Sequence, residues 1–157
     1  RVNESLVPPR RLSGRLADQF LNQVRKQLGL APETRLRIVE VKETKGSTYV
    51  SVSYNGEIPV RTPGMGDIEE VLVTVPLTAS LQFDSDRHLV GYQVNKPDES
   101  TIETLREDLM EKAKAGKIRL IKAGQRVPSA ELVAGRAPFY IEVDREGRKR
   151  LKRAFIS

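Results

Sequence analysis

Between Val71 and Phe83 every odd position is apolar: Val71, Val73, Val75, Leu77, Ala79, Leu81 and Phe83. The even positions hold Leu72, Thr74, Pro76, Thr78, Ser80 and Gln82, so the two faces of an extended strand alternate with its two-residue period. At about 3.3 Å per residue this strand runs roughly 40 Å with one face buried along its length. Such a pattern demands neighbouring strands and an apolar layer on one side. Pro76 cannot donate to a ladder, so the strand is expected to bend there or to lie at an edge.

Around this strand the chain reads as a helix followed by hairpins. Leu16, Phe20, Val24 and Leu28 recur every four residues with Ala17 and Leu21 beside them, which predicts an amphipathic helix over residues 13–28. Ser13 is placed to cap it, and Gly29 followed by Pro32 to stop it. Residues 1–12, with Pro8-Pro9 and Arg10-Arg11, read as an extended tail, because proline lacks a donor and restricts its predecessor. From Arg35 to Glu43 the apolar phase shifts from Leu36 and Ile38 to Val39 and Val41, which predicts a bulge or burial on both faces. Thr44-Lys45-Gly46-Ser47 reads as a hairpin turn, after which Val50, Val52 and Tyr54 alternate with Tyr49, Ser51 and Ser53. Asn55-Gly56 is expected to end that strand, with Pro59–Asp67 a loop. Asp84-Ser85-Asp86-Arg87 turns the chain, and Leu89 to Val94 returns antiparallel. Over residues 13–94 this order of elements is similar to the cystatin-like arrangement, a helix packed across a curved antiparallel sheet.

After a break near Lys96-Pro97-Asp98, a smaller helix-plus-strands unit is expected over residues 98–157, either separate from the unit at 13–97 or continuous with it. Ser100-Thr101-Ile102-Glu103 has the form of a capping box, Ile102, Leu105, Leu109, Met110 and Ala113 make a helical stripe, and Gly116 ends it. Lys117 to Ile121 reads as a short strand, Gly124 to Arg136 as an irregular connection, and Phe139, Ile141 and Val143 as a strand face. Arg148 to Ile156 fits a strand or a helix equally well. Strand runs joined by hairpin-length connections predict an α+β protein and argue against a parallel βαβ sheet.

The 157 residues contain no Cys and a single His, His88, which excludes disulfides, thiolate nucleophiles, zinc ribbons and multi-His metal sites. No metal or cofactor is expected. The longest fully apolar run is three residues, Val71-Leu72-Val73, so this chain carries no transmembrane segment. Because it opens on Arg1, it is expected to be a processed form or a piece of a longer product, and its compartment stays open.

Of the net charge of +6, the nine residues 145–153 carry +5, from Arg145, Arg148, Lys149, Arg150, Lys152 and Arg153 against Glu146. These six cations form a candidate anion-binding segment for nucleic-acid phosphates or acidic lipid headgroups; a solvated terminal face explains them as well. Asp84, Asp86 and His88 alternate as in the start of a metal loop, but the glycine and later acid of such a loop are missing, and a hairpin turn suffices. Gly64-Met65-Gly66 precedes a strand and not a helix, so it is read as a flexible loop, not a phosphate cradle. Glu103, Glu107, Asp108 and Glu111 are read as exposed helix charge.

Residues 47–56 and 71–83 contain no Asp, Glu, Lys or Arg although 31% of the chain is charged. Depletion of charge marks the cores of interfaces, and it also marks strands covered on both faces within a domain. If the odd residues of 71–83 face inward, Thr74, Thr78, Ser80 and Gln82 face outward, together with Tyr49, Ser51 and Ser53. These seven are the candidate interaction face. The reading that follows is a non-enzymatic binding or assembly module holding a protein, a peptide or a second subunit. A nucleic-acid or anionic-surface binder acting through 145–153 is the first alternative, and a carboxylate-based enzyme the second.

Overall fold

A computed structural model of the chain describes residues 7–10 and 14–155. Its elements are α1 (Arg15–Gln27), β1 (Leu36–Thr44), β2 (Ser47–Arg61), β3 (Glu70–Asp84), β4 (Leu89–Asn95), α2 (Glu99–Lys114), β5 (Ile118–Lys122), α3 (Ser129–Ala134), β6 (Phe139–Val143) and β7 (Lys149–Arg153). The fold is α+β, with the strand order β1-β2-β3-β7-β6-β5 and β4 paired to β3. Packing divides the described chain into two compact units: one up to Gly56 with Pro76–Lys96, the other Glu57–Val75 with residues from Pro97 on.

In the first unit α1 buries Ala17, Phe20 and Val24, and the Phe20 ring meets that of Phe83 with centroids 6.0 Å apart. Full burial of Phe20 and Val24 is worth roughly 1.5–3 kcal/mol each. Leu16, expected in the buried stripe, is instead 74% exposed, because it lies one residue before the face that carries Ala17. Ser13 lies outside the described residues; the N-cap is Gly14, with no side-chain cap. At the other end Gly29 takes a left-handed φ of 69°, letting Leu30 N–H donate to Arg25 O, which is how glycine closes a helix. Pro8 and Pro9, expected in a tail, are buried.

The sheet of this unit contains β1 and β4 with β2 up to Gly56 and β3 from Pro76 on. β1 pairs antiparallel with β2, and the register slips between Ile38 and Glu40, so of the two expected alternatives, a bulge or burial on both faces, the bulge is found, at Val39. All seven odd residues of β3 from Val71 to Phe83 are buried. β2 does not stop at Asn55-Gly56 but runs on to Arg61, with Gly56, Ile58 and Val60 buried in the same alternation. Two facts account for this. A Cβ on Gly56 would stand 2.6 Å from Leu77 Cδ1 and 2.8 Å from Tyr54 Cε2, so the glycine marks a close approach and not a turn. Pro59 is tolerated because β1 pairs with β2 only as far as Tyr54, leaving the later residues of β2 without that neighbour. Pro76 sits similarly, between Leu72, which pairs with β7, and Thr78, where pairing with β4 begins.

In the second unit the N-cap of α2 is Asp98, not Ser100: its Oδ1 accepts from Thr101 N–H at 2.9 Å and from Ser100 Oγ at 2.9 Å. The Thr101 donors, with Ser100, hold the Asp98 carboxyl below its ordinary pKa. The segment expected to be irregular contains α3, whose Leu132 joins Ile121, Tyr140 and Ala154 in a small core. This helix is the crossover of a parallel β5–β6 pair, so a βαβ unit does occur here, against the expectation from connection lengths. β6 is covered on both sides, with Tyr140 and Ile141 both buried. Residues 149–153, left open between strand and helix, form β7, antiparallel to β6 over five residue pairs and parallel to β3 at Leu72–Arg150.

Candidate interaction surfaces

The outward residues of the first unit form an uncharged surface. In β2 these are Tyr49, Ser51 and Ser53, each half-buried; in β3 they are Thr78, which is exposed, and Ser80 and Gln82, half-buried. The register extends the surface onto β4, where Asn95, Gln93 and Gly91 stand beside Thr78, Ser80 and Gln82. Asn95 Nδ2 donates to Thr78 Oγ1 at 3.1 Å. Sequence periodicity missed these three, since the charge-free windows stop at Phe83; the pairing of β4 with β3 brings them in. Thr74, the seventh residue of the expected face, is exposed but belongs to the second unit. On the β1 side the surface is bounded by Arg37, Glu40 and Lys42, opposite Ser53, Ser51 and Tyr49.

β4 itself, Leu89–Asn95, contains no charged residue and, among the described residues, pairs only with β3. Its Val90 is 53% and its Tyr92 45% exposed. The terminal strands of the sheet path differ in charge: β1 carries Arg37, Glu40, Lys42 and Glu43, and β5 carries Arg119 and Lys122, whereas a register slip is common to β1, at Val39, and β4, at Val90. Charges and bulges are how exposed strand edges are kept from pairing, and β4 has no charge to do so.

The basic segment is not a loose end. β7 lies between β3 and β6, and much of its charge is met within the second unit. Arg150 Nε donates to Glu57 Oε2 at 2.8 Å and its NH1 to Asp144, Arg148 Nε donates to Asp144 Oδ2 at 2.9 Å, and Lys152 Nζ lies 3.0 Å from Glu142 Oε1. Arg153 stacks over the Phe139 ring. Among the described residues Arg145, Lys149 and Arg153 form no ion pair. Burial pushes the Asp144 carboxyl up, but hydrogen bonds from Arg150 and Arg148 outweigh it and leave the group well below the ordinary carboxylate range. A polyanion here would compete with Asp144, Glu142 and Glu57, and the small cavity beside Arg148 and Lys149 is lined by Asp67, Glu69 and Glu70.

The Asp84 turn is held by its own backbone. Asp84 Oδ1 accepts from Asp86 N–H and His88 N–H, both at 2.9 Å, and Arg87 N–H donates to Asp84 O at 3.0 Å. His88 Nδ1 lies 3.9 Å from Asp84 Oδ2 at the surface. The Gly64-Met65-Gly66 loop is closed by buried Thr62, whose hydroxyl donates to Ile68 O at 2.9 Å. No helix of the described residues is long and apolar enough to cross a membrane. Set against protein-family models, curated proteins and solved structures, the chain has no significant match.

Proposed function

We propose that this protein is a non-enzymatic binding or assembly module that associates through β4 and the uncharged outer surface beside it. The observation that carries the reading is the contrast between edges: β4 offers an uncharged, half-exposed strand, whereas β1 and β5 carry charges. An edge of this kind accepts an extended strand through backbone hydrogen bonds, and two antiparallel β4 strands related by a two-fold axis supply them to each other. A second copy of the chain is therefore the occupant to test first. Binding of polyanions through Arg145, Arg148, Lys149, Arg150, Lys152 and Arg153 is the weaker reading, because carboxylates already meet three of the six.

Sedimentation velocity over a range of concentrations tests this, alongside melting curves. The parent is expected to dimerise, Tyr92→Lys to be monomeric with little change in melting temperature, and Ser51→Lys with Thr78→Lys to weaken association if the face takes part. A parent that stays monomeric throughout would reject self-association, and a fold that collapses in the Ser51→Lys, Thr78→Lys protein would show the face to be internal.

A further inference from the structure

The first unit holds a cavity of about 900 Å³ between residues 7–10, the start of α1 and Arg87 in the turn after β3. That volume is within the usual range for a small-molecule site. Its apolar lining includes Phe20, Val7 and Leu16, the residue that departs from the buried stripe of α1. Its charged lining among the described residues is Arg10, Arg15 and Arg87, with no Asp or Glu among those residues. Among the described residues none of these three arginines forms an ion pair. The nearby Asp84 carboxylate is turned onto backbone N–H groups and does not line the cavity.

Arg87 carries a second signal. The turn at Asp144 repeats the hydrogen bonds of the turn at Asp84: the first carboxylate accepts from the N–H groups two and four residues on, and the fourth residue donates back to the first carbonyl. At the fourth position the backbone is left-handed in both, with φ of 83° at Gly147 and 65° at Arg87. Glycine is the residue this conformation favours, and an arginine adopts it at an energetic cost. None of the turn's hydrogen bonds uses the Arg87 side chain, and Arg87 is one of the residues that line the cavity. Strain of this kind concentrates at ligand sites.

We infer that this cavity binds an anionic amphiphile, a carboxylate or phosphate head on an apolar chain, with Arg10, Arg15 and Arg87 around the head and Leu16, Phe20 and Val7 along the chain. Arginine suits either head because its planar fork donates two parallel hydrogen bonds to adjacent oxygens. The site is independent of the association surface proposed above.

Calorimetric titration of the full chain with decanoate and with decyl phosphate, and with decanol as the uncharged control, tests the inference. Saturable binding of at least one acid and none of decanol is expected. Arg15→Gln should weaken the bound acid about tenfold. Arg87→Gly should weaken it similarly while raising the melting temperature by about 2–4 °C, because it removes both the ligand contact and the strained φ. Equal binding of decanol, retained affinity in both variants, or no saturable binding of either acid would overturn the proposal. Binding seen only to phosphatidylglycerol vesicles would overturn it too, in favour of a membrane-surface contact.

Discussion

Gly56 is the position where one added methyl group should reveal how the first unit is packed. Its Cβ in Gly56→Ala would lie 2.6 Å from Leu77 Cδ1 and 2.8 Å from Tyr54 Cε2, and both neighbours are core residues, at 6% and 8% exposure. Neither can swing into solvent without giving up buried area. Overpacking of this kind costs about 1–3 kcal/mol. Against it stands the gain of about 0.5–1 kcal/mol from replacing glycine by alanine inside a strand. The net expectation is a loss of about 1–2 kcal/mol, or a fall of about 2–8 °C in melting temperature for a chain of this size. Urea unfolding followed by circular dichroism measures it, with an unchanged m-value showing that stability alone has moved. A double-mutant cycle with Leu77→Ala supplies the sharper check. Leu77→Ala alone should cost about 2–5 kcal/mol, but combined with Gly56→Ala it gives the new methyl group room, so the pair should be at least about 1 kcal/mol better than additive. A Gly56→Ala protein as stable as the parent, or a strictly additive cycle, would refute the close approach.

The two remaining expectations concern β7 and its ion pairs. Deleting residues 145–157 removes the strand between β3 and β6 together with buried Ala154, so the truncated chain should lose cooperative unfolding and protease resistance in its second unit; a truncated protein that melts like the parent would show β7 to be dispensable. Asp144 has its pKa lowered on folding, so the stability it confers is complete above the unfolded value near 4 and is lost as pH falls through the lower folded value. Melting of the parent should therefore drop more steeply than that of Asp144→Asn below about pH 4, and parallel profiles there would contradict the assignment.

What the sequence determined by itself is whatever depends on neighbours a few residues apart. The odd-position burial of β3, the bulge at Val39, the Gly46 turn between β1 and β2, and the end of α2 at Gly116 were all legible, because alternation and left-handed glycine are local properties. Only the tertiary structure decided which of two local possibilities prevailed. Asn55-Gly56 has the composition of a turn, yet Leu77 from β3 closes over Gly56 and the strand continues. Lys149–Arg153 fits two periodicities, and hydrogen bonds to β6 and β3, with Glu57 more than ninety residues away in sequence, select the strand. The candidate surface was half legible for the same reason: alternation assigned Ser51, Ser53, Ser80 and Gln82 to one face, whereas its extension onto Gln93 and Asn95 required the pairing of β4 with β3. The three arginines of the cavity could not be associated from sequence at all. Arg10, Arg15 and Arg87 line one cavity although they come from three separate stretches of chain; the packing of Phe20 against Phe83 sets the start of α1, with Arg15, beside the turn that carries Arg87, and no signal local to any of the three announces it.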